Sequence, residues 1–552
     1  MNDCCFAGKF RDENTQTRVS REGRIEMSMR GIERAPWARA FTLGQASGAV
    51  EGRLERGGSL LAQVALVLAL SVSGLALSSH RAAATDYTAT QTNKNLAAGD
   101  RITVTNADGV AVNDGNTYTL AGNNTITINS PGKSGIYVTG AGSTVKAIGT
   151  TITGSGYGVT IASAGTGNLS NINVTVSGGN GVQVRDANSV LDLTGANTLI
   201  TATGADGVLV TTTKNATIGD GVTITAKSDS KRGVAVESGG LLTIGSANVS
   251  AEGANGIGLS ASGTGSSIIA TGTTIVASGA GGVGLSASGK GSSITATGTT
   301  ITANGGGVLI ASAGAGNLSN VNVTTSGGYG VWVQDAGSVL DLTGANTRIT
   351  ATGGDGVRIV AATSATIGDG VTITAKSDDK RGVVVSGGGQ LTIGSANVST
   401  EGMNGFGLYA TGAGSSITAT GTRVETKATG AGRAQGVVAQ SGASITLKNV
   451  SISTVSGNGH GVWVKDAGSS VTMDASTSIS TTGASAYGIL VEAGATETFT
   501  GGSSTTALPG TMSILGDNAT AFGTYGAGAK ITFDGIDLPP RPTLRLERTH
   551  GR

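Results

Sequence analysis

Glycine followed by alternating aliphatic and variable residues recurs along most of this chain. It reads Gly109-Val-Ala-Val, Gly135-Ile-Tyr-Val, Gly158-Val-Thr-Ile, Gly181-Val-Gln-Val, Gly207-Val-Leu-Val and Gly233-Val-Ala-Val, with variants at Gly256, Gly282, Gly307, Gly330, Gly356, Gly382, Gly405, Gly436, Gly461 and Gly488. The sixteen marks lie 23 to 31 residues apart. A fixed period in this range signals a repeat architecture, in which each unit hides its apolar face against its neighbours. The alternation has period 2, so the units are made of strands. In residues 233–256, Val234 and Val236 flank Ala235, Gly239-Gly240 turns the chain, Leu242-Thr-Ile244 forms a second strand, and Val249 centres a third. Three short strands with glycine corners predict one coil of a parallel β-helix of about 23–31 residues. Parallel crossovers are right-handed, so the expected fold is an all-β, right-handed parallel solenoid.

Composition agrees with this on separate grounds. The 94 glycines suit sharp corners. All six prolines (Pro36, Pro131, Pro509, Pro539, Pro540 and Pro542) fall outside residues 132–508. Proline cannot donate to a ladder, so the interior reads as strands paired on both sides. A longer repeat lies over the short one. Residues 142–274 match residues 291–423 without gaps at an offset of 149, as in Asn168-Leu-Ser-Asn171 against Asn317-Leu-Ser-Asn320. Gly256–Thr274 and Gly282–Thr300 form a further near-copy, one coil apart.

The ends break the pattern. Leu60 to Leu77 is a largely apolar run after Arg53 and Arg56 and before Ala82-Ala83-Ala84, the order of a secretory signal with cleavage after Ala84. Residues 1–84 are therefore expected to be a leader and signal, and 85–538 the solenoid. Residues 539–552 are expected to be a Pro/Arg-rich tail in which the reading is truncated or frame-shifted. Both cysteines, Cys4 and Cys5, precede the cleavage point, so the exported chain rests on packing and hydrogen bonds rather than disulfides. Removing the 11 basic and 8 acidic residues of 1–84 from the chain's 36 and 35 leaves a net charge of −2. Such a balance, without a basic stripe, excludes nucleic-acid binding as the expected role and suits a monomeric rod.

The signal-like segment, the cysteine-free mature region and the Gly-Val-x-Val and Leu-Thr-Ile-Gly phrases together resemble the passenger region of a bacterial autotransporter of the pertactin-like adhesin type. The resemblance covers about residues 85–538. It implies display on a cell surface by an outer-membrane translocator barrel, whose amphipathic strands this sequence lacks, and attachment to a host-cell protein or glycan. Without a translocator the exported chain would stay in the periplasm.

Candidate chemistry is sparse. Gly459-His460-Gly461 matches one piece of a polygalacturonase-like motif, but Asp378-Asp379 lies several coils away and no Asn-Thr-Asp occurs. His460 also falls at a corner occupied elsewhere by Tyr157, Asn180, Asp206, Arg232 and Tyr329. Asp220 and Asp369 sit in Gly-Asp-Gly corners, where aspartate builds turns. A pair of convergent carboxylates, as glycosidic chemistry requires, is not evident. The expectation is a non-enzymatic chain with no cofactor, no metal and no catalytic residue. A polysaccharide-acting β-helix enzyme and an inert spacer are the alternatives. In each phrase the residue between the two aliphatics points outward. Leu309, Trp332, Val384, Trp463 and Leu490 thus form an exposed column and are the candidate binding surface.

Overall fold

A computed structural model describes residues 86–88, 96–428, 432–500 and 512–534. The expected signal with Ala84, both cysteines and the tail 539–552 lie outside the described residues. The described elements are strands of three to six residues, and every strand pairing among them is parallel. Each coil contributes one strand to each of three sheets. In one coil these are Val331–Gln334 in the first sheet, Val339–Thr343 in the second and Arg348–Ala351 in the third. Strands in a sheet recur every third element, so each pairs with its equivalent one coil away. The chain is a parallel β-helix, as the period predicts.

The alternation sets the inside and the outside. Val331 and Val333 are fully buried while Trp332 between them is partly exposed. They stack on Val308 and Ile310 below and on Val357 and Ile359 above. The inward aliphatics of all three sheets merge into one continuous core running from Leu96 to Phe522. The glycine that opens each phrase is a steric requirement. A Cβ on Gly330 would lie 2.5 Å from the carbonyl oxygen of Gly356 and collide with the Ile349 side chain. The coil turns its corner there with the backbone of the next coil pressed against it.

The register departs from expectation at three marks. Gly258, Gly284 and Gly407, not Gly256, Gly282 and Gly405, stack with the other mark glycines. The interval of 31 residues from Gly405 to Gly436 thus becomes a coil of 29 from Gly407. In Gly405-Phe-Gly-Leu and its two counterparts, glycine occupies both positions two apart. The pleat repeats every two residues, so either glycine satisfies the pattern.

Corners are closed by side chains of one coil capping the backbone of its neighbour. Asp186, Asp335 and Asp466, all with left-handed backbones, accept hydrogen bonds from the N–H groups of Ser163, Ser312 and Ser441. Asp220 and Asp369 accept from the N–H groups of Ser246 and Ser395, each at 2.7 Å. These aspartates serve turns, as their Gly-Asp-Gly setting predicts.

Candidate binding strip on the first sheet

The outward residues of the first sheet stack in a single column. From Leu309 they run Trp332, Arg358, Val384, Tyr409, Val438, Trp463 and Leu490. A second column runs beside it, three residues earlier in each coil, where the chain enters the sheet. Its members over the same coils are Tyr329, Asp355, Arg381, Phe406, Gln435, His460 and Tyr487, each passing its carbonyl to the coil before or pairing in register. Together they make a two-residue-wide strip.

Rings cluster on this strip. Tyr329 and Trp332 lie with centroids 5.2 Å apart, and Phe406 and Tyr409 5.4 Å apart. His460 packs edge-on against Tyr487 at 5.2 Å and against Trp463 at 6.1 Å. Cations lie over the rings: Arg358 above Tyr329 at 5.3 Å, Arg381 above Tyr409 at 5.3 Å and Lys465 above Trp463 at 4.6 Å. Such contacts hold both partners in place. Among the described residues, the indole nitrogens of Trp332 and Trp463 and the Nε of Arg358 are buried without a hydrogen-bond partner.

His460 is a clamp. Its Nδ1 accepts from the Tyr487 N–H at 3.0 Å, and its own N–H donates to Gln435 Oε1 at 2.5 Å. Burial, aided by the nearby Arg433 charge, lowers its pKa to about 4, so it is a neutral imidazole at pH 7. It stands at the corner position that its flanking glycines indicate.

The expected column survives in part. Leu309, Trp332 and Trp463 are partly exposed, whereas Val384 is only 4% and Leu490 only 7% exposed. The expected exposure is therefore corrected for these two. Val384, Tyr409 and Val438 form a small apolar cluster covered by Phe406 and Trp463. Tyr409 and Phe406 were missed because the mark at Gly405 placed Gly407 in the column. Reading that coil from Gly407 would have found Tyr409, and stepping back three residues would have found the whole corner column.

A shallow cavity of about 200 Å³ lies on the third sheet, lined by Thr374, Ser399, Arg423, Glu425 and Lys427 among others. No group of three or more metal-ligating side chains occurs among the described residues.

Comparison with known proteins adds the hand of the coil. Residues 232–377 match a family model described as right handed beta helix region. No curated protein matches the chain. Among solved structures the chain is similar to a mutant tailspike protein of Escherichia coli bacteriophage HK620 in complex with a hexasaccharide. That likeness has 12% identity and a TM-score of 0.29, and it covers 84% of this chain and 74% of the tailspike. These findings correct the expectation of a non-enzymatic chain. The match is to an architecture, a right handed beta helix region over residues 232–377, and an architecture does not set catalysis aside. What the comparisons support is a right-handed parallel β-helix.

Proposed function

We propose that this chain is an exported β-helical adhesin of the autotransporter-passenger type, which attaches to surface glycans through the strip on its first sheet. In this reading a translocator barrel places it at the cell surface. One observation carries the proposal: ring pairs recur on a single face at fixed coil positions. Tyr329/Trp332, Phe406/Tyr409 and His460/Trp463 are separated by three and then two coils, or ~14 and ~10 Å at ~4.8 Å per coil. A row of platforms at such intervals fits an extended chain lying along the rod better than a compact ligand. The rings offer apolar surface to the C–H groups of sugars, while Arg381 and Lys465 beside them offer hydrogen bonds to hydroxyls.

The test compares attachment of the full chain and of its Trp332→Ala, Trp463→Ala double variant to glycan-bearing cells and immobilised cell-surface glycans. Truncating a ring anchor should weaken binding by about 2 kcal/mol or more. Unchanged attachment by a double variant with parental melting behaviour removes the strip from the mechanism. Free sugar measured in the same wells records whether bound chains are cleaved.

A further inference from the structure

The duplication supplies an internal control for the charges on the strip. In the first copy Arg232 is held by two carboxylates, Asp206 at 2.6 Å and Glu237 on its other side. Burial works against its charge, and those two partners outweigh it and raise its pKa above the ordinary arginine value. At the matching positions of the second copy, Arg381 replaces Arg232, Asp355 replaces Asp206 and Ser386 replaces Glu237. The second carboxylate is gone. Asp355 now lies 3.9 Å from Arg381 and 3.8 Å from Arg358, a new arginine where the first copy has Leu209. Further along, Lys465 rests over Trp463 and has no ion pair among the described residues. At the far edge of the sheet, Asp335 and Asp466 each commit an oxygen to a backbone N–H of a neighbouring coil. Three cations thus stand beside rings, and among the described residues Asp355 is the one carboxylate at ion-pair distance from any of them.

We propose that the strip takes a polyanionic glycan, one whose carboxylate or sulfate groups repeat along the chain, and this rests on reading the strip as a glycan site. Arg358 and Arg381 lie one coil apart and Lys465 three coils beyond, ~5 and ~14 Å along the rod. A chain stacked on the ring pairs brings its anions to these cations, which have already given up much of their solvent to the ring faces. Guanidinium groups suit carboxylate and sulfate oxygens because two N–H groups point the same way.

Dextran sulfate and dextran share a backbone and differ in charge, so they are the probes for the full chain. Dextran sulfate should bind about tenfold or more tighter than dextran at ~0.05 M salt, and the difference should shrink at ~0.3 M. The triple variant Arg358→Gln, Arg381→Gln, Lys465→Gln should lose that advantage. Ser386→Glu, which restores the carboxylate of the first copy, should lose part of it. Neutralising Lys146, Lys290 and Lys448, which lie away from the strip, should change binding by less than about twofold. Equal binding of the two polymers, or equal losses from the two triple variants, overturns the proposal. If the strip triple variant still attaches to cells while the tryptophan double variant does not, the glycan site stands and its polyanion preference falls. If the double variant binds every probe like the parent, the glycan site itself falls.

Discussion

The two copies of the duplicated block share an interior and differ on one face. Inward positions are nearly identical across the offset of 149. Val182 and Val184 match Val331 and Val333, Val208 and Val210 match Val357 and Ile359, and Val234 and Val236 match Val383 and Val385. The outward and corner positions of the first sheet have changed. Asn180, Gln183, Leu209 and Glu237 in the first copy stand opposite Tyr329, Trp332, Arg358 and Ser386 in the second. In the first copy these positions form a closed polar ladder. Asn180 donates to Gln183 at 3.0 Å and accepts from the Asp206 N–H at 3.1 Å, and Asp206 accepts from the Arg232 N–H at 2.7 Å. In the second copy the same backbone carries rings and under-balanced cations. The inward positions of the first sheet stay aliphatic in both copies while the outward ones vary, so the outward face could change without touching the fold.

Three sets of substitutions would break or sharpen this contrast. The largest effect belongs to the core: Val333→Asp buries an unpaired carboxylate and should cost about 3–5 kcal/mol, as should Val184→Asp in the first copy. Trp332→Asp and Gln183→Asp should each cost far less, because both side chains point outward. Thermal melts of the four variants check this, and equal losses at inward and outward positions would refute the in/out assignment.

The next effect lies beyond the second copy, where the core carries a fault. Glu497 stacks between Val471 and Ile531, fully buried, with neither carboxylate oxygen hydrogen-bonded among the described residues. Burial raises its pKa well above the usual glutamate range. The folded chain therefore holds a proton that the unfolded chain releases. The stability this group supplies is full below the unfolded glutamate value and is lost as pH rises through the folded one. Glu497→Val should melt higher than the parent at pH 8, with the gap closing towards pH 4. A gap that does not change with pH would mean that the carboxyl finds solvent or a partner.

The smallest effect concerns His460. Its folded-state pKa of about 4 lies below the ordinary 6.5, so the stability it lends is present above pH 6.5 and is lost as pH falls through about 4. Protonation also removes the Nδ1 acceptor used by the Tyr487 N–H. Trp463 fluorescence should change with a midpoint near 4 and lose that transition in His460→Gln. A midpoint near 6.5 would place the ring in solvent.

Much of this architecture was legible in the sequence because period-2 alternation and glycine corners are dictated by the pleat and by backbone contact between coils. The inward and outward parity was readable even at Gly405, since a slip of two residues leaves every side chain on its own face. The same slip moved one rung of the column, which hid Tyr409 behind Gly407. Exposure was less legible than parity. Val384 points outward yet is covered, because the residues one and two coils along are Tyr409 and Val438, with Phe406 and Trp463 beside them. That covering depends on side-chain size between coils some 25 residues apart, which no local pattern records. The corner column was legible only as a variable corner: the spacing lined up His460 with Tyr329, Asp206 and Arg232, but the packing of Tyr329, Phe406 and His460 against rings of the outward column depends on contacts the spacing does not record.

The in-register ladder makes the strip a ruler with a fixed graduation. Inserting or excising a coil changes the distance between two ring platforms only in whole steps of ~4.8 Å and leaves every other spacing intact. The near-identical neighbours Gly256–Thr274 and Gly282–Thr300 offer a homologous junction for such unequal exchange inside the gene. If the strip binds a polymer as proposed, its reach is a countable quantity, set by how many rungs the gene holds rather than by how any one of them is shaped.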